Sequence, residues 1–261
     1  MTGRELLIYL AIKFKGDYRS ILNFIKERKN IDEEVLPPIK SKVLTMLDED
    51  YPEEFKHYPY PPIVLFYYGD ISLLSDFSKN VAVIGTRCPS IYGTIATREL
   101  VEKVSKYANV VSGLAYGVDA LAHEACINSG GHTIAVLGSG IDVCYPEENK
   151  DLYDIIKQKH LIISEYPGLT DPSPDKFPLR NRLIAMISKA VVITEAHPRS
   201  GTSITASFAL NYGKDVCCVP YRLYENSLCN QLIRDGAYLI ESGDELLDIM
   251  KVSRDKPVFD L

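Results

Sequence analysis

From Asn80 onward, short apolar runs rich in β-branched residues alternate with longer amphipathic stretches. The runs VAVIG (81–85), NVVSG (109–113), HTIAVLG (132–138), LIISE (161–165), AVVITEA (190–196), DVCCVP (215–220) and AYLIE (237–241) predict strands. The near-continuous apolarity of 190–196 marks a strand covered on both faces, as parallel strands are. The stretches between, 94–106, 119–129, 150–158, 180–188, 202–212, 226–235 and 244–250, predict helices. In the first of them Ala96, Leu100, Val101 and Val104 fall on one helical face. Such alternation predicts an α/β fold built on a right-handed, doubly wound, mostly parallel sheet.

The first part of the chain has a different period. Residues 2–29 carry Leu6, Leu7, Leu10 and Ala11, then Ile21, Leu22, Phe24 and Ile25 at helical spacing, with a break at Gly16-Asp17. A small helical unit over 1–43 therefore precedes a main domain over 44–252, with a short tail at 253–261. At the start of the main domain, VLTMLDEDYPEEF (43–55) predicts a short strand and a turn. Pro59, Pro61 and Pro62 then hold an extended crossing into a strand at 63–68.

Charge narrows the partners. The net charge of −6 counts against a generic polyanion binder, so any nucleic-acid site must be a local groove. The distribution is uneven: residues 1–43 carry 9 Lys/Arg against 6 Asp/Glu, while from Glu241 onward 6 acids face 3 bases. No apolar run reaches membrane-spanning length, and charges interrupt residues 1–30 throughout, which predicts neither a membrane span nor a targeting peptide. The cysteines at 88, 126, 144, 217, 218 and 229 form no C-x-x-C pair and no metal spacing, so free thiols in a reducing cytoplasm are expected.

Candidate chemistry gathers where strands end and helices begin, because helix N-termini offer unpaired N–H groups and a positive dipole end. KFPLRNR (176–182) brings Lys176, Phe177, Arg180, Asn181 and Arg182 together as a basic loop and helix start with no acid among them. Cations oppose the dipole at a helix N-terminus, so an anion is expected there. Charge beside an aromatic suits unpaired nucleotides, which need backbone neutralisation and a flat face for a base. HPRSGTS (197–203) feeds Ser200, Gly201 and Thr202 into the next helix, and Gly85-Thr86-Arg87 ends the first strand of the main series with a guanidinium. In SGLAYGVDALAHEA (112–125), backbone amides from Gly113 to Gly117 are candidates for cradling an anion. Asp119 reads as an N-cap there and His123 as a local hydrogen-bonding residue.

Catalytic motifs are weak. GTRCPSIYG and GSGIDV match neither the dinucleotide nor the Walker pattern, and no G-x-S-x-G, H-E-x-x-H or metal spacing occurs. Glu165 and Glu195, both at strand ends and with His197 near, are the one carboxylate pair that could do acid–base work.

The ordered series VAVIGTR, VVSGLAYGVDALAH, TIAVLGSGIDVCYP, LIISEYP, FPLRNRLIAMIS, EAHPRSGTSITA and LIRDGA resembles the DNA-processing protein A (DprA/Smf) family over about residues 44–241. The resemblance implies an extended Rossmann-like domain that binds and protects single-stranded DNA and helps load the RecA recombinase in natural transformation. Homodimers, no metal and no other cofactor are implied with it. Carried onto this chain, it implies DNA-facing roles for Arg87, Ser112, Gly113, Arg180, Arg182 and Ser200-Gly201-Thr202, with Phe177 and Lys176 beside them. The sequence departs from the family where Tyr221 and Leu228 stand at usual glycine positions, which predicts an altered groove rim.

A cytoplasmic, non-enzymatic single-stranded DNA-binding protein is thus the leading expectation. The alternative is a nucleotide-binding or phosphoribohydrolase-like enzyme, although EAHPRSGTS lacks the P-G-G-x-G-T loop and following glutamate of that group. A protein-interaction scaffold with a weakened groove is the third.

Overall fold

Each apolar run of the main domain lies in a strand. The computed structural model describes residues 1–28, 36–222 and 224–254. Its first elements are α1 (Gly3–Lys13), α2 (Tyr18–Lys26), β1 (Lys42–Thr45), β2 (Val64–Gly69), β3 (Asn80–Ile84), α3 (Ile91–Val104), β4 (Asn109–Ser112) and α4 (Val118–Asn128). There follow β5 (Thr133–Val136), α5 (Lys150–Lys159), β6 (Leu161–Ser164), α6 (Lys176–Met186), β7 (Ala190–Ile193) and α7 (Gly201–Asn211). Last come β8 (Asp215–Cys218), α8 (Leu228–Arg234), β9 (Tyr238–Leu239) and α9 (Gly243–Met250). The expected tail lies outside the described residues from 255 on, as do positions 29–35 of the N-terminal unit.

The strands form one sheet in the order β1-β2-β6-β5-β4-β3-β7-β8-β9. From β6 to β9 every neighbouring pair is parallel, while β1–β2 and β2–β6 are antiparallel. The expected doubly wound, mostly parallel architecture is therefore present, with an antiparallel extension on one edge.

Burial on both faces explains the apolar runs. Val81 and Val83 pack with Val110, Val192 and Cys217 against α3, α4 and α9, whereas Ala82, Ile84, Val191 and Ile193 pack against α6 and α7. The first helices are not set apart: Leu7, Leu10, Ala11 and Ile21 share a buried cluster with Phe66, Leu137 and Ile162.

Sequence order places the site. From β3 the chain steps outward through β4 and β5 to β6, then returns along α6 to β7 on the other flank of β3. Winding reverses between β3 and β7, registered Ile84 to Ile193. A crevice opens at the carboxyl ends of strands where such a reversal occurs.

One boundary differs with consequence. Helix α6 begins at Lys176, so Arg180, Asn181 and Arg182 lie within the helix rather than in a basic loop. Pro178 is the third helical residue, and its missing N–H belongs to a turn that has no intrahelical acceptor, so the proline does not delay the helix. The expectation that the two arginines oppose the dipole from the N-terminus falls away with it.

Candidate functional site

At the carboxyl ends of β3 and β7 lies a crevice of about 650 Å³, bounded by the loops after β3 and β7 and by the start of α6. The two loops are laced together. Thr86 N–H donates to the Glu195 carbonyl (2.7 Å), and Thr202 Oγ1 donates to the Gly85 carbonyl (3.0 Å). Gly85 is required by proximity: a Cβ there would sit 2.6 Å from the Glu195 carbonyl oxygen and 2.7 Å from Val118 Cγ2.

Arg87 is exposed at the rim, its guanidinium 6.0 Å from the centroid of the Phe177 ring. Opposite, α7 opens with Ser200, Gly201 and Thr202, all lining the crevice, and has no acid in its first turn. The Ser200 hydroxyl is buried without a hydrogen-bond partner among the described residues. A helix start with free amides, an unengaged hydroxyl and a guanidinium across the gap is suited to phosphate.

Arg180 forms the floor. Its Nη1 donates to the carbonyls of Gly113 and Val136 and its Nε to Asn181 Oδ1 (3.0 Å). The guanidinium occupies the space of the Cβ that Gly113 lacks, with three of its atoms within 2.5–2.7 Å of that position. Burial lowers the Arg180 pKa; Asp119 opposes this, and Arg87 adds to it by repulsion. Asn181 passes the contact on, its amide donating to the Gly201 carbonyl (3.3 Å). Phe177 is half-buried over Gly138, with Arg180 5.9 Å from its ring centroid.

Several expected residues sit elsewhere. Arg182 is buried and pairs with Glu165 Oε1 at 2.5 Å, so its charge is already engaged inside the protein and is turned away from the crevice. Burial raises the Glu165 pKa, against the pull of that arginine. Ser112 is fully buried and donates to the Val83 carbonyl (2.7 Å), stitching β4 to β3. Lys176 turns its ammonium to the Asp171 carbonyl and the Tyr166 ring rather than into the crevice.

The glycine-spaced loop after β4 is likewise internally satisfied. Asp119 is not the N-cap of α4, a position held by Gly117 at φ +73°. Its carboxylate accepts the N–H groups of Gly113 (3.1 Å) and Ala115 (3.4 Å), removing two amides from the expected anion cradle. Burial raises its pKa, and Arg180 opposes the rise. His123 bonds not locally but to Thr133 Oγ1 on β5 (2.6 Å).

The carboxylate pair is absent as a pair. Glu165 follows β6 and Glu195 follows β7, four strand spacings or roughly 19 Å apart across the sheet. Glu195 Oε2 accepts from Ser90 N–H (3.0 Å) and Ser90 Oγ (2.8 Å) at the start of α3, where a Cβ on Gly93 would collide with it. Tyr221 reaches the same cluster, its hydroxyl 3.2 Å from Ser90 Oγ, while Leu228 is buried with its N–H on the Ala196 carbonyl (2.9 Å). Neither departure lines the crevice, so the expected change in its rim does not arise from them.

His197, near the two glutamates in sequence, lines the crevice, and so does Tyr145, to which no sequence pattern points. Tyr145 sits in a loop far along the chain from Arg180, and no local pattern ties the two. His197 had a clearer signal, as the first residue of the polar loop after β7.

The family model of DNA recombination-mediator protein A matches residues 42–251. Protein Smf of Synechocystis is 41% identical over 209 residues, covering 78% of this chain and 52% of its own length. DNA processing protein DprA of Streptococcus pneumoniae is 40% identical over 205 residues, covering 78% of this chain and 72% of its own. The chain thus spans about half of the first relative. Among solved structures, DprA of Streptococcus pneumoniae superposes with a TM-score of 0.78 at 32% identity, covering 93% of this chain and 92% of that one. DNA processing protein A of Helicobacter pylori, described for its single-stranded DNA binding mode, has a TM-score of 0.74 at 32% identity over 82% of this chain and 96% of that one.

Proposed function

The chain belongs to the DNA recombination-mediator protein A family, the DprA and Smf proteins, and from this membership we propose that it binds single-stranded DNA in the switch-point crevice. The observation that carries the reading is the exposed Arg87 facing the acid-free start of α7 across the crevice, with the Phe177 ring between charge and floor. Phosphates would take the guanidinium, the helix amides and the Ser200 hydroxyl, while a base lies on Phe177. Arg180 and Asn181 hold these parts in place. Ser112, Lys176 and Arg182 are left out of the contact set, and Gly113 acts by making room for Arg180.

The net charge of −6 keeps this attraction local, so binding should depend on salt and favour a flexible single strand over a duplex. The test is fluorescence anisotropy of a labelled oligothymidine against a matched duplex at several salt concentrations. Arg87→Ala should weaken binding and reduce the slope of log K against log salt by about 0.7, the value for one phosphate lost on a single strand. Arg182→Ala, corrected for its folded fraction, should leave the slope as it is. Equal slopes for wild type and Arg87→Ala would remove the crevice from the reading.

The proposal extends to a cytoplasmic homodimer with no catalytic step or cofactor of its own, which protects incoming strands and assists loading of RecA in natural transformation or recombination. Sedimentation of the purified chain and strand exchange by RecA with and without it test these points. A monomer, or exchange that ignores the protein, counts against them.

A further inference from the structure

Beyond the crevice, the loop after β4 presents an exposed ring from an unusually constrained backbone. Leu114 is fully buried at φ +58° and Gly117 lies at φ +73°, where a side chain would strike the backbone of Thr86 and Arg87. Asp119 fixes the N–H groups of Gly113 and Ala115. Asn149 Nδ2 fixes the carbonyls of Leu114 (3.0 Å) and Ala115 (3.3 Å). A left-handed non-glycine residue is strained and persists only where its surroundings over-determine it. What this scaffold holds out is Tyr116, a residue 40% exposed.

Tyr145 lines both the crevice and the recess that Tyr116 lines. It is 45% exposed, and its ring centroid lies 5.6 Å from that of Phe177 at an interplanar angle of 32°. The recess that the two tyrosines line has a volume of about 460 Å³. Single exposed aromatics are ordinary on protein surfaces. Rings in succession along one rim, one of them on a rigid loop, are a surface for flat ligands.

Charge changes sign along the same line. Phe177 is flanked by Arg87 and Arg180, but the recess beyond is edged by Glu147 and Glu148, and the lysine that lines it, Lys150, is engaged by Asp154. Phosphates are therefore attracted at the crevice and disfavoured at the recess, while uncharged nucleobases suit the rings there.

We propose that Tyr116 and Tyr145 form a second stacking ledge for nucleobases, which holds a single strand by its bases where the phosphate track ends at Arg87. The proposal rests on the reading that the crevice binds single-stranded DNA. It predicts a division of labour: Arg87 sets the salt dependence, and the ledge adds to the dependence on bases that stacking on Phe177 already supplies.

The chain has no tryptophan, so Tyr145→Trp introduces a single reporter. Its emission should be quenched by oligothymidine and not by an abasic oligomer with the same number of phosphates. Wild type should bind oligothymidine at least about tenfold more tightly than the abasic oligomer, in keeping with the worth of one stacked base or more. Tyr116→Ala with Tyr145→Ala should lower that preference several-fold, leaving the part that Phe177 supplies, while keeping the wild-type salt slope. The double phenylalanine variant, which keeps both rings, should retain the preference.

Wild-type affinity for oligothymidine in the double alanine variant, or an unquenched tryptophan on a bound strand, overturns the ledge while leaving the crevice reading intact. Failure of wild type to bind either oligomer overturns both together. Loss of salt slope in the alanine variant overturns the ledge by showing that the tyrosines act through phosphates.

Discussion

Arg180 and Arg182 lie two positions apart on α6, a step of about 200° around the helix, so they cannot share a face. One reaches the floor of the crevice; the other meets Glu165 in the interior. Removing one partner of a buried pair leaves an uncompensated charge, at a cost of about 3–5 kcal/mol. Arg182→Ala should therefore lower unfolding free energy by that amount in urea, whereas Arg182→Met combined with Glu165→Gln should lose much less. Equal losses in both would show that the charge itself is not the issue. The RNR triplet was legible as important, but not as two different devices. In an extended loop the two arginines would point to the same side and could face one ligand, whereas on the helix the step of about 200° parts them.

At the scale of elements, the order of strands and helices in the main domain was legible because parallel strands buried on both faces leave continuous apolar runs. The pairing of β2 with β6 was not, since it joins residues such as Phe66 and Ser164 with no local pattern between them. The turn after β4 was seen as glycine-rich, but its glycines serve the protein rather than a ligand. Gly113 exists to admit the Arg180 guanidinium, which two carbonyls hold against it. Gly113→Ala should thus displace Arg180 and misplace Phe177 one turn earlier. We expect oligothymidine affinity to fall about tenfold, on the order of 1.4 kcal/mol, with a smaller change in melting than Arg182→Ala produces. Full affinity in the Gly113→Ala variant would mean that the floor of the crevice need not be Arg180.

For the whole molecule, the two ends of the sheet divide the work. The carboxyl ends carry the crevice, while His132 and His160 precede β5 and β6 at the other end, their rings 5.8 Å apart, and His123 lies beneath β5. Burial holds His123 down at about 3 and His160 at about 4, and lowers His132 too. In the unfolded chain these imidazoles protonate near about 6.5. Between those values the unfolded state binds more protons, so their contribution is complete above about pH 6.5 and is lost as pH falls toward the folded pKa values. Asp119 and Glu165, with raised pKa values, act in the opposite sense, so absolute stability mixes the two. A difference separates them. His123→Gln keeps a donor for Thr133 and both carboxyls but removes one titration. Its unfolding free energy should fall less steeply than wild type between about pH 6 and pH 4, by up to about 1.4 kcal/mol per pH unit. Parallel curves over that range would mean that His123 is already protonated in the folded protein.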